Sequence, residues 1–440
     1  MKMNKLKRVL KAGLVVSTAM SMAFSLAACG SNTTPSETGA SSVKTADSGS
    51  DSDTIRIGVL TDLTGSLADY GIGVTAGYEL AAEEINSSGG INGKQIEFVT
   101  YDCKGDNNVY QEMARKVCLE DDVDAVFGGV TSASREAIRP IMEENEMLYF
   151  YDVQYEGGVA SHYTFCTGLI PEQQIDPMIE YLLGSDMYPG ASCYILAADY
   201  NFGQISTQWA EKAIAANGGT VAGKEYIPMD VSQFATTISN INSAKPDIII
   251  SFLVGDQSAF YEQWHNEGIV GTPVATSVAC VNTYEHKKFA APIMENVYVI
   301  GDYTEELDSD AAKEFTAKFR EKFSESEVPY IGITPESAYA TLYMYKQGVE
   351  KAGTTETEAV IAALESGITF DAPSGKIILN GDDHHTTKDV VLFSVDSNNN
   401  LNPIKMFEGI RSNYISGTKG VNLAELGKDA PNVQYEPIND

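Results

Sequence analysis

The run Leu148-Tyr149-Phe150-Tyr151-Asp152-Val153-Gln154-Tyr155-Glu156-Gly157 passes from large apolar side chains to a polar loop that ends on glycine. Aromatic residues crowded in this way favour a buried strand, and the Asp, Gln, Glu and Gly behind them stop it. In open α/β sheets ligands occupy the crevice outside the carboxyl ends of the strands. Tyr151, Gln154 and Tyr155 are therefore candidate ligand contacts. A core strand with a plain turn behind it accounts for the same residues, so the flanking chain has to decide.

Upstream, residues 55–60, 95–101 and 125–129 read as strands, with helical patterns between them. Val74, Tyr78, Ala81 and Ile85 fall on one face of the first helix, and Val109, Met113 and Val117 on one face of the second. Gly89-Gly90 stops the first helix and Asn92-Gly93 turns the chain into the next strand. Thr131-Ser132-Ala133-Ser134 opens a third helix, with Ala137, Ile138, Ile141 and Met142 turned inward. Downstream comes a strand at 163–167, then Pro171 at a helix start. A second alternating series has strands at 192–198, 220–227, 247–254, 273–277 and 297–300. Strands that alternate with helices build βαβ units, so the spacing predicts an α/β fold of two doubly wound parallel-sheet lobes.

Beyond Asp302 the pattern changes, with helices in succession over 311–323, 335–351 and 356–365. Thr334 is the expected N-cap of the middle one, with Pro335 at its first helical position. Helices with no strand between them cannot extend a parallel series, so they return to the first lobe. After an expected turn over 370–375, late strands at 376–379 and 390–395 return to the second. The lobes expected are 54–170 plus 302–367 and 171–301 plus 368–440, joined by a hinge of three crossings.

A chain of 440 residues exceeds the roughly 250 to 300 at which one core usually splits, in keeping with two lobes. A formal charge of -31 argues against nucleic acid or an anionic membrane surface as partner of the folded part. Lys2, Lys5, Lys7, Arg8 and Lys11 precede an apolar run over 12–27, which reads as a signal peptide over 1–28. Residues 29–53 are then a Ser-, Thr-, Gly- and Asp-rich tether. No later stretch is long and apolar enough to cross a bilayer. Cys103, Cys118, Cys166, Cys193 and Cys280 lack metal-ligand spacing and are expected as free thiols, with a Cys103–Cys118 bridge left open.

Catalytic motifs are missing. His384-His385 beside Asp382 and Asp383 suggests a metal, but adjacent side chains of an extended segment point to opposite faces, so no metal is expected. There is no G-x-S-x-G nucleophile elbow, and Gly71 to Gly77 does not spell the dinucleotide fingerprint. The expectation is a protein that is not an enzyme and needs no cofactor.

Leu26-Ala27-Ala28-Cys29 resembles the lipobox of bacterial lipoproteins, which implies lipidation at Cys29 and a place on the outer face of the cell membrane. Ile57-Gly58-Val59-Leu60 with Thr64-Gly65, and Ala81-Ala82-Glu83-Glu84-Ile85-Asn86 with Gly89-Gly90-Ile91-Asn92-Gly93, are similar to the opening of a solute-binding family of ABC transporters. That family binds branched-chain amino acids and amides. Thr131-Ser132-Ala133-Ser134-Arg135, Val153-Gln154-Tyr155-Glu156-Gly157, Gln173-Gln174, Asp199-Tyr200, Phe370-Asp371-Ala372-Pro373 and His384-His385 resemble more closely its urea and short-chain amide branch. The likeness covers 55–395. It implies the type I periplasmic-binding fold, an ABC permease as partner and a pocket using Ser132, Tyr151, Gln154, Asp199 and Tyr200, with Asp256 and Tyr303. Val130, Asp152 and Cys280-Val281 depart from the branch's pattern and leave room for a larger ligand.

Urea offers a carbonyl acceptor and several N–H donors, which Ser132, Tyr151 and Gln154 on one side and Asp199 and Asp256 on the other can match. An amino acid needs an anion site instead, which the helix start at Thr131 to Ser134 can supply, with Asp256 as the acidic partner. Urea or a short amide is the first expectation and an amino acid the alternative. A tethered sensor for a membrane signalling protein would use the same pocket.

Overall fold

The computed structural model describes residues 53–184, 187–255 and 258–437. The segment expected to be a signal peptide and the expected lipidation site Cys29 lie outside them. In the first lobe the strands are β1 (Thr54–Thr61), β2 (Gln95–Asp102), β3 (Ala125–Gly128), β4 (Tyr149–Tyr151), β5 (Val159–Ala160) and β6 (Thr164–Cys166). Helices α1 (Ala68–Ser87), α2 (Asn107–Leu119) and α3 (Ser132–Glu144) fill the gaps. The second series is β7 (Ser192–Ala198), β8 (Thr220–Ile227), β9 (Ile248–Phe252), β10 (Val274–Thr276) and β11 (Val297–Gly301). Late in the chain follow β12 (Ile368–Ala372), β13 (Gly375–Leu379), β14 (Thr386–Val395), β15 (Leu401–Ile410) and β16 (Val433–Gln434).

One sheet runs β2-β1-β3-β4-β6, all parallel. The other runs β12-β13-β14-β11-β10-β9-β7-β8, with β15 on β14. In the first sheet strand order reverses between β1 and β3, in the second between β7 and β9. Loops leaving such a pair diverge and open a crevice at the carboxyl ends. The aromatic stretch explains its own burial: Phe127, Phe150 and Phe165 are register partners on neighbouring strands. Their rings stack at 4.7 and 5.5 Å, capped edge-on by Tyr345.

The helices at Asp310–Lys322, Ile333–Ala352 and Thr357–Glu365 pack on the first core through Phe315, Phe319, Leu342, Tyr345, Val360 and Leu364. The middle helix begins two residues earlier than expected. Its N-cap is Gly332 and not Thr334, because the Ile333 N–H donates to Val281 O at 2.9 Å; Pro335 is then third in the helix, where a missing N–H costs no ladder bond. Phe370-Asp371-Ala372 is strand and not turn, pairing with Lys376, Ile377 and Gly375 across a tight Pro373-Ser374 reversal. Strand β15 escaped the reading of alternation since it is a mostly exposed edge. The five cysteines of the described residues are free thiols.

Gly77 on α1 faces the backbone of the Ile333–Ala352 helix, where a Cβ would stand 2.1 Å from Pro335 O. Backbone cannot move aside as a side chain tip does. Gly77→Ala should cost about 1–3 kcal/mol or more in urea denaturation. Gly271→Ala, with nothing within 4 Å of the added atom, should be near neutral. Equal midpoints for the two variants would refute this helix contact.

Candidate functional site

The two switch points face one narrow cavity that is partly open to solvent. After β1 come Leu67 and Tyr70, after β3 Val130, Thr131 and Ser132, at the end of β4 Tyr151, and after it Val153 and Gln154. The second sheet adds Tyr200 and Phe202 after β7, Val254 after β9 and Val278 after β10. Most of this wall is apolar.

Thr131 caps α3: its Oγ1 accepts from the Ser134 N–H at 3.0 Å and Ser134 Oγ accepts from the Thr131 N–H at 2.9 Å. The box uses those two amides and leaves the N–H groups of Ser132 and Ala133 at the mouth of the helix, where the dipole favours negative charge. Ser132 Oγ donates to Glu156, a buried carboxylate. Glu156 also takes Arg135 Nη2 at 2.8 Å, both side chains fully enclosed. The Arg135 guanidinium lies 5.1 Å from the Tyr151 ring centre and 4.5 Å from that of Tyr155. Burial alone would lower its affinity for the proton, but Glu156 and Glu136 outweigh burial and raise it above the ordinary value.

Gln154 reaches the opposite lobe. Its Nε2 donates to Ser277 O at 2.8 Å and its Oε1 accepts from Asn282 Nδ2 at 2.9 Å. Tyr70 and Tyr200 are phenols held well above their ordinary pKa, each chiefly by burial; Glu285 adds to the first, and Tyr151 and Glu156 to the second. The Tyr70 hydroxyl, buried on the wall, has no hydrogen-bond partner among the described residues. Such a group costs free energy until something pairs with it.

Of the residues proposed from sequence, Ser132, Tyr151, Gln154 and Tyr200 line this cavity together. Asp199 does not: it is exposed and accepts from Gln204 Nε2 at 3.2 Å, one residue too early to turn into the crevice. Tyr155 is buried behind the wall, its hydroxyl on His385 Nε2 and its ring stacked on that imidazole at 5.9 Å. His385 Nδ1 donates to Asp383 O at 2.6 Å, so Tyr155 buttresses the hinge and offers nothing to a solute. Tyr303 belongs to the first core, with Thr316 Oγ1 at 2.8 Å and Phe315 against its ring. Asp256 lies outside the described residues.

Sequence reasoning missed Leu67, Tyr70, Phe202, Val254 and Val278 as wall, and Arg135 and Glu156 beneath it. A signal existed for two of them: the α1 spacing carried back from Val74 by four and then three reaches Tyr70 and Leu67. Val254 and Val278 gave none, because apolar residues at strand ends look like core.

Among proteins similar to this chain is a leucine-, isoleucine-, valine-, threonine- and alanine-binding protein of Pseudomonas aeruginosa, 25% identical over 335 residues, 74% of this chain and 85% of that protein. A Leu/Ile/Val-binding protein of Rhizobium johnstonii is 24% identical, over 73% of this chain and 86% of its own. Among solved structures, a solute-binding protein of an ABC transporter from Rhodopseudomonas palustris, in complex with 3,4-dihydroxybenzoic acid, superposes with a TM-score of 0.72 at 18% identity, covering 82% of this chain and 98% of that one. A branched-chain amino acid transporter substrate-binding protein from Streptococcus pneumoniae, in complex with isoleucine, does so with a TM-score of 0.67 at 20% identity, covering 80% and 99%. Residues 54–400 match the family described as periplasmic binding protein, and the chain belongs to that family.

Proposed function

We propose that this protein is the substrate-binding component of an ABC importer and that it captures a small carboxylate with an apolar body, first among them an aliphatic amino acid. One observation carries the reading: the start of α3, at Thr131 and Ser132, and an apolar wall drawn from both lobes border the same cavity. A carboxylate satisfies the helix start, and each buried methylene adds about 0.8 kcal/mol that urea cannot supply. Relatives named for leucine, isoleucine and valine, and structural neighbours holding isoleucine or a benzoic acid, fit the same chemistry. Urea or a short amide, the first expectation from sequence, ranks below it, since Ser132 and Gln154 are already paired within the protein and Asp199 stands outside. Lipidation at Cys29 would keep the protein beside its permease.

Closure needs contacts to both lobes, because a solute gripped by one alone has no differential affinity for the closed state. Titration calorimetry with L-leucine, L-isoleucine, benzoate, urea and acetamide decides among these. Saturable binding of an apolar carboxylate is expected, with no heat from urea. Val254→Asp, which sets a charge in the second lobe's wall, should weaken L-leucine by at least ~100-fold, about 2.8 kcal/mol. Heat from urea with none from any carboxylate would return the amide reading to first place.

A further inference from the structure

The family match ends at residue 400, yet the chain goes on to pack against the residues behind the cavity wall. After β15, Tyr414 packs edge-on against Trp209 at 4.8 Å, and the Leu423 N–H donates to Asp382 O at 2.8 Å, both on the second lobe. The chain then crosses to the first. Lys428 Nζ reaches Glu146 at 2.7 Å and Glu358 at 3.2 Å, and Asn432 accepts from Arg139 on α3. Val433 and Gln434 pair antiparallel with Ala160 and Val159, and the Tyr435 N–H donates to Gly158 O at 2.7 Å. Gly158 admits this approach because a Cβ there would lie 2.0 Å from Tyr435 O. Glu436 then accepts from Gln208 Nε2 at 3.1 Å, back on the second lobe.

We propose that Gln434, carried on a strap formed by residues 423–437, is a positioning residue of the solute site. The Gln434 amide closes a ring behind the cavity wall. Its Nε2 donates to Glu156 Oε1 at 2.5 Å and to Gly157 O at 3.0 Å, while its Oε1 accepts from Arg135 Nη2 at 3.1 Å. Glu156 Oε1 thus holds Arg135 and Gln434, which turns Oε2 toward Ser132 at the first position of α3. Without Gln434 the carboxylate loses one of two fixed donors on that oxygen and Arg135 loses an acceptor. Glu156 is then tied to the helix start by Arg135 and Ser132 alone, which loosens the presentation of the Ser132 and Ala133 amides beside the Thr131 box. This places an element beyond the family's matched region in control of affinity, and it rests on the reading of the cavity as a solute site.

The test uses the full-length protein and two readouts. Deuterium uptake at the bonded amides of Ser134 and Arg135 without solute should be at least ~10-fold faster in Gln434→Met, which keeps length and packing, and in Gln434→Ala. Lys428→Ala, which loosens the strap's surface pairs but not the ring, should leave those amides unchanged. L-leucine should bind Gln434→Met about 10-fold more weakly than wild type, with the thermal midpoint little altered. Unchanged uptake at Ser134 and Arg135 in Gln434→Met, or the same acceleration in Lys428→Ala, overturns the proposal. Failure of wild type to bind L-leucine counts against the proposed solute class instead, and the exchange readout still decides the strap.

Discussion

Arg135→Met is expected to lower the unfolding free energy by about 3–5 kcal/mol, a change of the size seen when one partner of a buried ion pair is removed. Arg135 is fully buried, and its Nη2 provides the charged donor to Glu156, which is itself without solvent contact. Methionine fills most of the guanidinium's space over the Tyr151 and Tyr155 rings, so the loss reports the stranded carboxylate more than a void. Replacing both partners, Arg135→Met with Glu156→Gln, should recover a large share, because a neutral amide still accepts from Ser132 and Gln434 has no anion left to hold. Urea denaturation of the wild type, the two single variants and the double closes the cycle. A single-variant loss below 1 kcal/mol, or a double no better than Arg135→Met alone, would show that the pair does not carry the loop behind the cavity.

The contrast between Asp199 and Tyr200 says what a sequence can disclose of such a site. Strand β7 and the helix Asn201–Ala216 are both readable, since six apolar residues in a row, Cys193 to Ala198, and then a three-four spacing are sequence signals. Which residue of the connection turns inward is set by where the helix takes its N-cap. That residue is Tyr200, so its neighbour Asp199 points to solvent. The aromatic run was decisive for the same reason: Phe127, Phe150 and Phe165 stack because their strands are in register, and register follows from the apolar pattern. Arg135 could be placed on α3 but not paired, as its partners Glu156 and Gln434 stand 21 and 299 residues away. Pairings between polar residues distant in sequence have no period, and the wall's valines carry no mark that separates a cavity from a core. A search for hydrogen-bonding groups alone therefore leaned toward a small polar solute, while the cavity is mostly apolar.

Where the crossings between lobes meet, charge is buried in excess, and this sets the second large effect. Lys388 on β14 donates to Asp302 at 2.9 Å, with Glu336 of the Ile333–Ala352 helix close enough to interact with both. Burial, and then Asp302, push the Glu336 carboxyl up to about 7 from an ordinary value near 4.5. Burial likewise pushes Asp152 up to about 7, even though Tyr78 donates to it. A carboxyl whose folded value is raised adds stability fully present below its unfolded value and lost as pH rises through the folded one. The wild type should thus lose stability between about pH 4.5 and 7 on account of these groups, and Glu336→Gln should flatten that slope. Lys388 opposes the rise at both Glu336 and Asp152, so removing it lets both acids keep their protons to higher pH and leaves Asp302 without its cation. Lys388→Met is expected to cost about 3–5 kcal/mol at pH 8, where the carboxylates must ionise unpaired, and clearly less at pH 5, where protons neutralise Glu336 and Asp152. Thermal unfolding of wild type, Lys388→Met and Glu336→Gln at pH 5, 6, 7 and 8 measures the difference. An equal cost for Lys388→Met at both ends of that range would mean the acids at the crossing do not share its charge, and that the hinge is held by its apolar contacts alone.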